Sequence, residues 1–108
     1  MEKAKILTNT ILKGIMTDAM VHRDYCTDFD TCKTPGYYTV SAQKTVNHPP
    51  GAYPYGILEV KVAGSFISQI YHAHQERNGS KTSVIYMRMW HTDSGWNTWV
   101  RLTGEAAV

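Results

Sequence analysis

A chain of 108 residues amounts to one domain and can bury a core without obligatory staples. Eleven basic and nine acidic residues are interspersed for a net charge of +2, so the basic stripe behind non-specific nucleic-acid binding is missing. Apolar runs are short and broken by Lys, Thr or Gly, which excludes a helical membrane span. The first residues also lack the continuous apolar run of a secretory signal, which predicts synthesis in a cytoplasm.

Residues 1–22 differ from the rest and are expected to form a separate stem ahead of a β domain at 23–108. Ala4, Leu7, Ile11, Ile15 and Ala19 recur at helical spacing, with Leu12, Met16 and Met20 alongside. Gly14 and Thr8-Asn9-Thr10 weaken the helix. A lone apolar helix is marginal and sticky in water, so this one must pack on the β domain or on copies of itself. In the second case Leu7, Ile11, Leu12, Ile15 and Met16 are the oligomerisation residues. The spacing supports no regular coiled coil.

Residues 22–35 are polar and read as a loop. Gly36–Ser41 reads as the first strand, opened by Pro35-Gly36. Residues 42–56 hold Pro49, Pro50 and Pro54, too many prolines for a ladder strand, and read as a stiff surface loop. Ile57–Val62 alternates, with Leu58, Val60 and Val62 inward and Glu59 and Lys61 outward. Ala63-Gly64-Ser65 turns the chain into Phe66–His74, and Asn78-Gly79 turns it again into Thr82–His91. After Asp93-Ser94-Gly95 comes a closing strand, Trp96–Leu102. Its alternation points Trp96, Thr98, Val100 and Leu102 one way and Asn97, Trp99 and Arg101 the other. Consecutive hairpins predict a mainly β fold, a small antiparallel sheet or sandwich-like meander.

Few residues carry chemistry. His72-Ala73-His74 sets two imidazoles two residues apart on a strand. In a symmetric trimer three such pairs could hold an axial metal ion; otherwise they are polar residues near a strand end. His22, Cys26, Cys32 and His48 offer zinc-type ligands, but the cysteines are spaced more widely than the usual gap of about two to four. The same cysteines could close a disulfide worth about 2 kcal/mol, or stay free as a cytosolic origin favours. Asp24, Asp28 and Asp30 lack the spacing and the Gly of an EF-hand. Neither a phosphate loop nor an oriented nucleophile is visible, so catalysis is not expected.

Tyr is present seven times and Trp three times, against two Phe. These side chains combine apolar area with a polar tip and favour half-buried walls and contact surfaces. Tyr53, Tyr55, Tyr71, Trp90, Trp96 and Trp99 are candidate platforms for sugar rings. Asn47, His48, Gln69 and Asn97 are available to bond hydroxyls. The alternative for each is a place in the core or a turn.

The motif order Asp30-Thr31-x-x-Thr34-Pro35-Gly36-Tyr37-Tyr38, Asn47-x-Pro49-x-Gly51, Gly56-x-Leu58-x-Val60, Gln69-Ile70-Tyr71, Tyr86-x-Arg88 and Trp96-x-x-Trp99-x-Arg101-Leu102 resembles the knob domain of phage tail fibres and R-type pyocin fibres. The resemblance spans residues 28 to 102; His72-Ala73-His74, the 75–81 turn and Cys32 depart from it. It implies a non-catalytic module of a phage tail, made in the bacterial host and carried on the virion. It also implies a homotrimer, with other tail or baseplate proteins and bacterial surface polysaccharide as partners. Members differ over whether the knob touches receptor or spaces the fibre, so the resemblance transfers no binding residues. A chain this short favours an accessory role.

Overall fold

A computed structural model describes residues 21–41 and 45–102 of the chain. The predicted stem, with Leu7, Ile11, Leu12, Ile15 and Met16, lies outside the described residues apart from Val21 and His22. The described part is mainly β. Its strands are β1 (His22–Tyr25), β2 (Gly36–Ser41), β3 (Tyr55–Ala63), β4 (Phe66–Ala73), β5 (Val84–His91), β6 (Gly95–Trp96) and β7 (Val100–Leu102). They form a single sheet in the order β1-β2-β3-β4-β5-β6, with β7 also on β5.

β2 to β5 are the expected antiparallel meander. Alternation sets the register: Tyr38, Leu58, Tyr71 and Tyr86 lie in one row across four strands, and Val60, Gln69 and Arg88 in the next. These rows make the core face, where Leu58 and Val60 are fully buried. Val62, expected inward, is exposed because it lies beyond the cover that the loops provide. Two-residue and longer turns join the strands. Gly64 (φ 58°) and Gly79 (φ 95°) take the left-handed conformation that their turns need.

Two features differ from the sequence reading. Residues 22–25, read as loop, are a parallel edge strand on β2. Backbone bonding holds it rather than apolar burial: the Tyr37 N–H donates to Val21 O at 2.9 Å, and the Cys26 N–H donates to Thr39 O at 3.0 Å. The approach is so close that a Cβ on Gly36 would stand 2.6 Å from Val21 O, and Gly36 has φ 140°. Gly36→Ala is therefore expected to cost about 2 kcal/mol in urea unfolding through strain and loss of this edge. A change within about 0.5 kcal/mol, the range of an ordinary surface substitution, would show that the edge yields freely.

The second difference is the closing strand. Trp90 pairs with Trp96, but Met87 pairs with Val100, so three residues (97–99) stand opposite two (88–89). This is a β-bulge, with the Asn97 N–H donating to Met89 O at 2.8 Å inside it. The extra residue reverses the alternation beyond it. Trp99 consequently lies on the core side with Trp96, while Val100 and Leu102 turn outward. The expected grouping of Trp96 with Val100 and Leu102 does not hold.

One face of the sheet is covered by loops 26–35 and 45–54 rather than by a second sheet. Phe29 is fully buried, edge-on to Tyr71 at 5.5 Å and to Trp99 at 5.9 Å. The loops are stitched together by Phe29 N–H to Val46 O (3.1 Å) and Val46 N–H to Thr27 O (2.9 Å). Asp28 Oδ1 accepts from both the Asp30 N–H and the Asn47 amide at 2.9 Å. Polar side chains then pin the second loop: the buried Tyr71 hydroxyl donates to Tyr53 O at 2.6 Å, and Arg77 of the β4–β5 turn donates to Ala52 O at 3.1 Å.

Candidate functional site

At the centre of the core face sits a polar cluster. Gln69 on β4 has no exposed surface. Its amide nitrogen donates to Phe29 O (2.6 Å) and Cys32 O (2.9 Å), which fixes the first loop. Its amide oxygen accepts from Arg88 Nε at 2.8 Å. Burial leaves no alternative partner for any of these groups, so the arrangement is fully determined. Gln69 was expected to bond hydroxyls of a ligand; its burial and three internal bonds rule that out.

Arg88 on β5 is 6% exposed. Its guanidinium lies 3.9 Å from the centre of the Trp96 ring and 4.3 Å from that of Trp99, a cation–π clamp made possible by the bulge. Nη2 stands 3.0 Å from Asp30 Oδ1, an ion pair set off the line of a good hydrogen bond. Burial pushes the guanidinium below its ordinary value, while Asp30 works against that shift, and Arg88 stays charged. The Trp96 indole N–H also donates to Asp30 O at 3.2 Å.

Above this cluster opens a groove of about 350 Å³. Asp30, Asn47, His48, Asn97, Thr98 and the two clamping tryptophans line it, with Pro50 and Arg88. Five of the predicted ligand residues therefore converge: Asn47, His48, Trp96, Asn97 and Trp99. Asn47 (φ 59°) is held by its bond to Asp28 and shapes the loop. His48 Nδ1 is 3.0 Å from Pro49 O, so that nitrogen carries the proton and donates. Asn97 and Thr98 are exposed on the bulge.

The other candidates lie elsewhere. Tyr53 and Tyr55 form a tilted pair at 5.5 Å, with the His74 ring 6.2 Å from Tyr53. Trp90 stands 6.5 Å from Trp96 with the Lys33 ammonium 4.4 Å above its ring. His72 is on the opposite face of the sheet, with Nε2 3.2 Å from Glu59 Oε2. Burial alone would raise the Glu59 carboxyl, yet bonding from His72 and Lys61 holds it below the ordinary range. His74 lies just past the end of β4, its N–H on Tyr55 O at 3.0 Å.

The zinc-type ligands are not brought together. His22 stacks on Tyr37 at 5.2 Å on the face away from the loops, whereas Cys26 and Cys32 are buried under them as free thiols. The hydrogen bond between the two thiols and burial push Cys26 up, which keeps it protonated. Among the described residues no group of three or more His, Cys, Asp or Glu side chains is placed to hold a metal ion.

Sequence reasoning missed Asp30, Thr98 and above all Arg88 as members of the site. A signal existed: Arg88 occupies the same alternating phase as Val84 and Tyr86. A cation at an inward position must find partners. No protein-family model matches the chain, nor does any curated protein or solved structure.

Proposed function

We propose that the chain is a non-catalytic recognition module of a phage tail-fibre-like assembly on the virion, contacting bacterial surface polysaccharide through the Asn47–His48–Asn97–Trp99 groove. The observation that carries this reading is the groove's composition. It joins two indoles to amide, imidazole and hydroxyl groups in one open depression. A pyranose ring has the complementary make-up, an apolar C–H face with hydroxyls around its rim. Its shallow depth implies weak single contacts, and several copies on one assembly would convert these into avidity. The groove's carboxylate, Asp30, is occupied by Arg88, which suits holding a ligand rather than transferring a proton.

The second reading is a spacer that touches no receptor. It is favoured by Trp96 and Trp99, which both direct a ring face at Arg88 and so serve the fold. For that reason Trp96 and Trp99 are poor test positions. Asn97→Ala with His48→Ala removes one exposed and one half-buried polar group and leaves the clamp in place. The recognition reading predicts an unchanged melting temperature and an adsorption to host cells weakened by about tenfold, as for the loss of one or two hydrogen bonds. Unchanged adsorption with an intact fold would support the spacer.

A further inference from the structure

The sheet has a second face, and none of the described residues packs over it. Its rows run Ile57–His72–Ile85–Leu102 and Glu59–Ile70–Met87–Val100. Ile57 is 51% exposed, Ile85 39%, Val100 52% and Leu102 48%. Single exposed apolar residues are ordinary, but neighbours on four adjacent strands make one continuous patch. The polar groups at its centre are engaged with one another, Glu59 with Lys61 at 3.5 Å and with His72 at 3.2 Å. A groove lined by Tyr37, Ile57, Glu59 and His72 marks the side nearest β1.

The chain reaches this face from one definite edge. Val21 O accepts the Tyr37 N–H, and the His22 ring stacks on Tyr37 and lies 2.9 Å from the Thr39 hydroxyl. Tyr37 and Thr39 both alternate onto the open face, so His22 lies on it too, and the described chain begins at Val21, on the β1 edge of that face. Those residues carry an apolar stripe that needs burial: Leu7, Ile11, Leu12, Ile15 and Met16. In the helical form that their spacing predicts, twenty residues span about 30 Å. The four strand spacings from β2 across to β7 amount to about 20 Å. The segment is long enough to cross the patch and to spare a few residues for the turn before Val21.

We propose that residues 1–20 lie across this face of their own sheet, setting their apolar stripe against Ile57, Ile70, Ile85, Met87, Val100 and Leu102. The segment is then a second layer of the domain, closing the side that the loops leave bare. Copies of the chain are joined by something other than this segment. The inference is independent of the polysaccharide reading, because it concerns the opposite face.

The test uses the full chain with Ile85→Glu, Ile11→Glu and the double variant, followed by binding of a hydrophobic fluorescent dye and by absolute mass from light scattering. The expected result is a monomer that binds little dye, a several-fold rise in dye fluorescence for each single variant, and no further rise for the double. Additive rises would overturn the proposal, since the two positions would then act apart. Strong dye binding by the unmodified chain would overturn it as well. So would a trimer that Ile11→Glu splits into monomers, because the segment would then join copies.

Discussion

Arg88→Ala is expected to destabilise the domain by about 4 kcal/mol, the largest effect of any single substitution in the site. Three losses combine. Gln69 Oε1, fully buried, loses the donor that satisfies it. Trp96 and Trp99 lose the cation between them, and the space it filled cannot be rebuilt without moving the bulge. Asp30 loses its counter-charge, but its side chain is 43% exposed, so water offsets much of that part. Arg88→Lys keeps the charge but lacks the planar fork and the stacking surface, and it should recover less than half of the loss. Urea unfolding followed by tryptophan fluorescence measures both variants. A loss below about 1 kcal/mol for the alanine variant, within the spread of ordinary substitutions, would mean that the clamp is incidental to the fold.

Gln69→Leu is expected to cost about 3 kcal/mol while keeping the side-chain volume nearly constant. The cost arises from what is left behind: the carbonyls of Phe29 and Cys32 and the Nε–H of Arg88 would be buried without partners. This substitution also has a local readout. Gln69 moors the loop that holds Cys26 and Cys32, which are 2% and 7% exposed. In the native protein both thiols should react slowly with a thiol reagent, and in the variant they should react many-fold faster at urea concentrations well below unfolding. Loss of stability with unchanged thiol reactivity would show that the loop is held mainly by Phe29.

The meander was legible because alternation of apolar and polar residues is a strong signal wherever one face of a sheet is covered. Leu58, Val60, Tyr71 and Tyr86 needed nothing more. The edge strand at His22–Tyr25 was not legible, because its pairing rests on backbone groups that every residue carries. The cover over the core also escaped notice: Cys26, Phe29 and Cys32 sit in an otherwise polar stretch, and their burial depends on Gln69, some forty residues distant. At the site, Asn47, His48, Trp96, Asn97 and Trp99 were found by residue type. What those residues do was not, since the roles of Trp96 and Trp99 come from a charge at Arg88 that propensity alone would place in water.

The bulge at residues 97–99 has a consequence for length variation. On an unbroken strand, tryptophans three positions apart point to opposite sides, so the pair at 96 and 99 shares a side because one surplus residue sits between them. Removing Asn97 or Thr98 would restore an even ladder of two residues opposite two, with Val100 still opposite Met87 and Leu102 opposite Ile85. Trp99 would then stand two places after Trp96 and keep its side by plain alternation. Removing both would bring Trp99 next to Trp96, turn it away from Arg88 and move Val100 and Leu102 out of register. Loop engineering around the groove can shorten this stretch by one residue but not by two.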